Sequence, residues 1–146
     1  MKTLKILLVE DNFEMALAIK RILRNMISSI SQIFGEELEC YFIESKTFDN
    51  AKMRIRTGGF SIIYLGGNIE ENISTIPLIF RIKDYNPSAV FFFASENPSL
   101  VKKVKERFFL DLSFLKKTNP EKLYGDIISE EEVALVKEKI LAKLFG

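Results

Sequence analysis

Short apolar runs alternate with helix-like segments along most of this chain. The first run extends from Leu4 to Val9, is rich in branched residues and ends at charged residues. Such a run is typical of a strand buried on both faces of a parallel sheet. Similar runs follow at residues 39–43, 61–65, 89–94 and 112–115. The segments between the five runs are too long for hairpins, so the pattern predicts right-handed crossovers and a parallel α/β sheet with helices on both faces.

The segments between the runs carry apolar residues at helical spacing. Helices are predicted over approximately residues 15–34, 48–55, 76–83, 100–108 and 129–144. Asp11 or Asn12 could cap the first helix, and Gly58 would end the second. Ser129 and Glu132 have the spacing of a capping box and predict the start of the last helix.

Size and composition narrow the class of protein. With 146 residues, 47% of them hydrophobic, the chain is long enough for one domain, predicted to span residues 1–146. A net charge of +1 gives no indication of a nucleic-acid or membrane partner. Cys40 is the single cysteine, so no internal disulfide can form and a reducing compartment is expected. Neither a signal peptide nor a membrane span is recognisable, so we expect a cytoplasmic protein.

Chemically distinctive residues follow the predicted strands. In chain order they are Glu10-Asp11, Gly66-Gly67, Ala94-Ser95 and Lys116-Lys117. The carboxyl ends of parallel strands meet at one edge of a sheet, where α/β proteins place their functional crevice. Two carboxylates facing a lysine there could hold a divalent cation or pair with the lysine. The two glycines are interpreted as a plain flexible turn, with a backbone cradle for an anion as the alternative.

Three of these segments resemble the receiver domain of bacterial two-component response regulators. They are Leu7–Asn12, Asn86-Pro87 before residues 90–93, and Ser113–Lys117. The resemblance covers about residues 1–145. It implies a flavodoxin-like, doubly wound sheet of five parallel strands in the order 2-1-3-4-5, and a role in signal transduction.

The resemblance also assigns roles at the strand ends, residue by residue. In the family an acidic pair binds magnesium and a lysine contacts the phosphoryl group; these positions fall on Glu10, Asp11 and Lys117. The aromatic residue that reports the switch state falls on Phe114. The position of the phospho-acceptor aspartate falls on Gly66, and that of the hydroxyl residue that senses phosphorylation falls most naturally on Ala94, with Ser95 as the alternative after a register shift. Glycine supplies no nucleophilic oxygen, so phosphorylation at the usual position is not expected.

The resulting hypothesis is a pseudo-receiver, meaning a receiver domain that has lost its phospho-acceptor. It would not be an enzyme, would need no cofactor and would hold magnesium weakly at most, through Glu10 and Asp11. It would bind a signalling protein or effector domain, or form a homodimer, through the fourth helix, fifth strand and fifth helix. The basic group Lys102, Lys103, Lys105 and Arg107 on the fourth helix is either part of that face or a solvated surface. The rival hypothesis is a small-ligand or nucleotide sensor that uses the crevice left by the missing aspartate.

Overall fold

Strands and helices alternate along the chain in the computed structural model, which describes residues 2–95, 97–108, 113–116, 134 and 137–142. In chain order the elements are β1 (Lys2–Val9), α1 (Phe13–Phe34), β2 (Leu38–Ser45), α2 (Phe48–Thr57), β3 (Ile62–Gly66), β4 (Asn68–Ile69), β5 (Ile73–Ser74), α3 (Ile76–Tyr85), β6 (Val90–Ser95), α4 (Pro98–Phe108) and β7 (Ser113–Lys116). Residues 137–142 are also helical. The predicted capping box at Ser129 and Glu132 lies outside the described residues.

The main sheet has the strand order β2-β1-β3-β6-β7, and every neighbouring pair in it is parallel. β1 lies between β2 and β3, so the chain crosses from one side of β1 to the other early in the sequence. Helices connect the parallel strands, as crossovers must. The predicted α/β fold, a parallel sheet flanked by helices, is therefore confirmed.

The core consists of two layers, one on each face of the sheet. Ile6 and Leu8 of β1 belong to a buried cluster with residues of α1, whereas Leu7 and Val9 belong to a second cluster with residues of α2 and α3. Ile140, in the helical residues 137–142, joins the first cluster. Because both faces of this part of β1 are covered, the successive residues 6–9 are all apolar.

Local signals explain where the first two helices begin and end. The Oδ1 atom of Asn12 accepts a hydrogen bond from the backbone N–H of Met15 at 2.9 Å and caps α1; Thr47 caps α2 in the same way. Gly35 and Gly58 follow these helices with φ angles of 65° and 73°, which glycine adopts without strain. Of the two N-caps predicted for α1, the structure uses Asn12.

A small hairpin between β3 and α3 was not predicted. Strands β4 and β5 are antiparallel, and the turn between them contains Glu70 and Glu71 with φ angles of 49° and 71°. Non-glycine residues seldom adopt this left-handed conformation. The hairpin occupies the connection that follows Gly66 and therefore lies at the carboxyl ends of the strands.

The β1–α1–β2 unit extends beyond the rest of the sheet at its opposite end. β1 pairs with β3 only from Ile6 onward, whereas its pairing with β2 starts at Lys2. Helix α1 has 22 residues, which corresponds to a length of about 33 Å. No helix in the described part of the chain is both long and apolar enough to cross a bilayer.

Candidate functional site

Glu10 lies at the end of β1 with its carboxylate in the protein interior. Glu10 is only 2% exposed, and its Oε1 atom accepts a hydrogen bond from the Tyr64 hydroxyl at 3.1 Å. Its Oε2 atom accepts the backbone N–H of Asn12 at 3.3 Å. Tyr64 lies on β3 opposite Leu8 of β1. Leu8 precedes Glu10 by two residues, so the side chains of Leu8 and Glu10 lie on the same face of β1. Glu10 is thus the acceptor for a buried hydroxyl, which would otherwise lack a partner in the apolar layer.

The Tyr64–Glu10 contact also affects the protonation of the tyrosine. Complete burial raises the pKa of Tyr64 well above its usual range, and the charge and hydrogen bond of Glu10 raise it further. Tyr64 therefore remains a neutral donor, and its proton is directed to the carboxylate of Glu10.

Asp11 is exposed, unlike Glu10, and is bound to the hairpin. Its Oδ2 atom accepts the backbone N–H of Glu70 at 2.8 Å. The Oε2 atom of Glu70 in turn accepts the backbone N–H of Phe48 at 2.9 Å, in the first turn of α2. A carboxylate at a helix N-terminus also interacts favourably with the helix dipole. Asp11 and Glu70 thus connect the end of β1, the hairpin turn and the start of α2.

Gly66 and Ala94 are direct neighbours at the strand ends. They are register partners on β3 and β6, and both are buried. The backbone N–H of the next residue, Gly67, donates to the carbonyl of Ala94 at 2.8 Å. The two positions that the resemblance assigns to the acceptor and the hydroxyl are therefore adjacent, and neither side chain carries an oxygen.

Gly67 is tightly packed and does not form the flexible turn favoured by the sequence. A Cβ atom placed on it would lie 3.2 Å from the carbonyl oxygen of Ala94 and 3.3 Å from the Cβ of Ser95. The buried Thr75 hydroxyl donates to the carbonyl of Gly66 at 2.7 Å, and the Thr75 backbone N–H donates to the carbonyl of Gly67 at 3.1 Å. The flexible-turn interpretation was wrong because a close approach of β6, rather than backbone freedom, requires glycine here.

The cation site predicted at Glu10 and Asp11 rests on these two residues alone. Among the described residues there is no group of three or more histidine, cysteine, aspartate or glutamate side chains placed to hold a metal. Both carboxylates already accept hydrogen bonds from protein groups. Magnesium prefers near-octahedral oxygen ligands, several of them usually water. Weak magnesium binding at this pair stays a prediction.

The other predicted site residues are only partly described. Lys117 lies outside the described residues, so its expected contact with the acidic pair is not tested. Phe114 lies on β7 in register with Phe93 of β6, but its side chain is not among those described. The side chains of Lys105 and Arg107 are likewise outside the described set, although both residues belong to α4.

Lys102 and Lys103 are exposed on α4, consistent with either a solvated surface or a binding face. Lys102 lies 4.0 Å from Glu106, one helical turn further on. Since the two side chains are 77% and 65% exposed, this ion pair adds little stability.

Sequence reasoning missed Tyr64, Glu70 and Thr75, which form several of the contacts described at the strand ends. Tyr64 was treated as part of an apolar run, although a buried tyrosine hydroxyl needs a partner. Its distance from Glu10 is 54 positions in sequence, and only the pairing of β1 with β3 brings the two together. Thr75 precedes a helix and resembles an N-cap, yet its hydroxyl bonds to β3 instead of capping α3.

Several solved structures of receiver domains have a similar fold. The signal receiver domain of an HD domain-containing protein from Pseudomonas fluorescens is similar, with a TM-score of 0.63 and 12% identity, over 98% of this chain and 90% of that one. A response regulator receiver protein from Sinorhizobium medicae has a TM-score of 0.62 and 11% identity, over 97% of each chain. The beryllofluoride-activated NtrC4 receiver domain dimer has a TM-score of 0.60 and 18% identity, over 95% of this chain and 98% of that one.

No protein-family model matches the sequence, and no curated protein matches it significantly. At identities this low, the similarity to solved structures concerns the fold and not the chemistry of individual residues. The matches nevertheless extend over nearly the whole length of both chains. This chain therefore has the α/β fold of response regulator receiver domains.

Proposed function

We propose that this chain is a pseudo-receiver that acts in signal transduction by binding other proteins, without phosphorylation at the usual acceptor position. The observation that carries the proposal is the pairing of Gly66 with Ala94. Phosphoryl transfer needs a nucleophilic oxygen held in line with the donor phosphorus. The receiver fold supports a signalling role, and these two residues supply no oxygen where the family places its acceptor and its sensor.

The contacts of the acidic pair support the same proposal. Glu10 accepts the hydroxyl of Tyr64, and Asp11 accepts the backbone N–H of Glu70. Both carboxylates therefore have a structural role that needs no cation. Their presence in the sequence is explained without a phosphorylation site.

The proposal extends to architecture and partners. The domain would be a single doubly wound sheet of five strands, non-enzymatic and cytoplasmic, with no direct contact to nucleic acid or membrane. Its partner would be a signalling protein, an effector domain or a second copy, bound through α4, β7 and the C-terminal helix. The exposed Lys102 and Lys103 on α4 support such a face, and one of the similar structures is a receiver domain dimer.

The rival hypothesis of a small-ligand sensor is less well supported. It relies on space left by the missing aspartate side chain. Next to that position, Gly67 has β6 backbone and side-chain atoms within 3.4 Å of where a Cβ would be. Thr75 donates to the carbonyl oxygens of Gly66 and Gly67, so a ligand would have to share these acceptors with Thr75.

The proposal is tested by exposing the protein to magnesium and acetyl phosphate and measuring its intact mass. We expect no phosphoryl adduct on the wild type. The Gly66→Asp variant, which restores the acceptor carboxylate, should gain one adduct, whereas Gly66→Asn should gain none. Adding Asp11→Asn to the Gly66→Asp variant should reduce the adduct, since it removes one carboxylate from the magnesium site.

An adduct on the wild type would overturn the proposal if peptide mapping places it at the strand ends. Thermal unfolding of each variant should be recorded in parallel, to check that the protein remains folded with an aspartate beside Ala94. A shift in the wild-type unfolding temperature on addition of nucleotides would favour the ligand sensor instead.

A further inference from the structure

Strand β2 is the outer strand of the sheet on one side. It has eight residues, pairs with β1 alone and contains neither proline nor a basic residue. Alternate backbone N–H and C=O groups of such a strand point away from the sheet and can pair with a further strand. No segment of the described chain pairs with this side of β2. As far as the described residues extend, the edge is therefore long enough and open enough to accept another strand.

A groove runs beside the first half of this edge. It has a volume of about 530 Å³ and lies between α1 and β2, with Arg24, Ile27 and Ser28 of α1 on one wall and Leu38 and Cys40 of β2 on the other. Leu38 and Cys40 are only partly buried against the core. Their register partners on β1 are Lys2 and Leu4, at the end of the sheet opposite Gly66. The groove is consequently distinct from the strand-end site.

The segment that forms this edge is acidic. Residues 36–45 contain four glutamates and no lysine or arginine. Glu36 and Glu44 form salt bridges with Lys2 and Lys20, at 3.3 and 2.8 Å. Glu37 and Glu39 are exposed and form no salt bridge with any described residue. Two negative charges thus remain to attract a partner at this end of β2.

The two faces of β2 differ in chemistry. Leu38, Cys40 and Phe42 are packed on the α1 side, so Glu39 and Tyr41, which alternate with them, lie on the other side. Tyr41 is 58% exposed. An added strand would therefore meet a groove with both apolar and polar lining beside α1, and a carboxylate and an aromatic ring on the opposite face. Lysine and arginine are attracted both to carboxylates and to aromatic rings.

A second copy of this chain fits the edge poorly. A second copy would bring its own Glu37 and Glu39 to this edge, and neither forms a salt bridge with any described residue. Like charges brought together across an interface repel each other. The charge pattern of β2 thus disfavours its own pairing and favours a basic strand.

We propose that the outer edge of β2, together with the groove beside α1, binds an extended basic segment of another protein as an added β-strand. Backbone hydrogen bonds would supply affinity, and alternation of basic and small apolar residues would supply specificity. The segment would direct its apolar residues to the groove and its basic residues to Glu39 and Tyr41. The proposal concerns the end of the sheet remote from Gly66 and does not depend on the loss of phosphorylation.

The test uses the full chain and an alternating lysine–valine peptide as long as β2, with blocked termini. Binding is measured by calorimetry, and occupancy of the groove by the alkylation rate of Cys40, the only cysteine. Burial raises the pKa of the Cys40 thiol, so alkylation is followed at mildly alkaline pH, where the thiolate is more abundant. We expect the peptide to bind and to slow the alkylation of Cys40 at saturation.

Two control peptides separate strand addition from simple charge attraction. The first replaces lysine with glutamate, and the second is N-methylated at the alternate residues that would donate to β2. Neither should bind or protect Cys40. Equal binding of the N-methylated peptide, or unchanged alkylation at saturation, would overturn the proposal, as would a lysine–valine peptide that does not bind.

Two protein variants locate the site. Glu39→Lys should weaken peptide binding about tenfold, which corresponds to ~1.4 kcal/mol. Glu106→Lys makes the same change of net charge on α4 and should leave binding within about twofold. Equal effects of the two variants would overturn the assignment to β2. Dimers of the free chain that the peptide disperses would assign the edge to a second copy and would also overturn it.

Discussion

The two ends of the β1–α1–β2 unit use similar residues in opposite ways. At the carboxyl end of β1, Glu10 and Asp11 accept hydrogen bonds from Tyr64 and from the hairpin. At the other end, Glu39 and Tyr41 on the edge strand are exposed to solvent. In the first region the polar groups stabilise the fold, whereas in the second they are available to a partner.

This difference suggests where the function of the domain lies. A receiver fold offers its strand-end crevice as the default site for chemistry. Here the described part of that crevice is filled by contacts within the chain, and no acceptor oxygen is present at Gly66. The surfaces, including the edge of β2, are then the more promising places for function.

Substitution of Gly67 is the most direct test of the difference between the strand ends and the β2 edge, and it has the largest expected effect. Gly67→Ala would place a methyl group 3.2 Å from the carbonyl oxygen of Ala94, so the neighbouring atoms of β6 would have to shift by a few tenths of an ångström. We expect a loss of about 1–3 kcal/mol in the free energy of unfolding, measured by urea denaturation. An unchanged free energy would show that the strand ends are less rigid than we infer.

Gly35, at the end of α1 near the β2 edge, provides the matched control. A Cβ added there meets no atom within 4 Å, but the residue has a φ angle of 65°. Gly35→Ala should therefore cost only about 1 kcal/mol, through backbone conformation rather than contact. Gly35→Asn should recover part of this loss, because asparagine tolerates the left-handed region, whereas Gly67→Asn should be worse than Gly67→Ala.

Tyr64 and Tyr41 give a second matched pair, with a smaller effect. Tyr64→Phe removes the donor to the buried Glu10 carboxylate and should cost about 1–2 kcal/mol near neutral pH. Tyr41→Phe removes a hydroxyl from a 58% exposed residue and should change the free energy of unfolding by less than about 0.5 kcal/mol. Equal effects would contradict the contrast between the two regions.

The pH dependence of the same variant follows from the raised pKa of Tyr64. The unfolded chain ionises this tyrosine near its usual pKa of about 10, whereas the folded protein keeps it neutral to higher pH. Its contribution to stability is therefore complete below about pH 10 and is lost as the pH rises further. The wild type should lose stability more steeply than Tyr64→Phe in this range, so the free energies of unfolding of the two proteins, plotted against pH, should converge. Parallel curves would show that Tyr64 titrates normally in the folded state.

Much of the framework was predictable because it depends on local sequence. The apolar runs predicted the parallel strands, Asn12 and Gly58 marked helix ends, and strand-end positions followed from the ends of the runs. The hairpin was not predictable, since two-residue strands carry no periodic pattern and its turn uses Glu70 in a conformation rare for glutamate. The Tyr64–Glu10 contact joins two strands and has no local signature.

The position of Gly67 shows why residue type alone was insufficient. Glycine is used both where the backbone needs a positive φ and where another chain segment approaches closely. Sequence could not distinguish these causes, because the approaching atoms belong to Ala94 and Ser95 on a different strand. The flexible-turn interpretation attributed the glycine to backbone freedom, whereas the cause is the close approach of β6.

The smallest expected effect concerns the edge strand and separates stability from binding. Glu39→Gln removes one charge from an acidic segment whose neighbours include Glu37, and Glu39 has no described salt bridge to lose. The free energy of unfolding should change by less than about 0.5 kcal/mol, because exposed charges contribute little to folding. A loss above about 1 kcal/mol in urea denaturation would show that the edge is part of the stabilising framework, as the strand ends are. A negligible loss is the result expected of an exposed carboxylate on an open strand, and peptide binding by the same variant then measures what its charge contributes to attracting a partner.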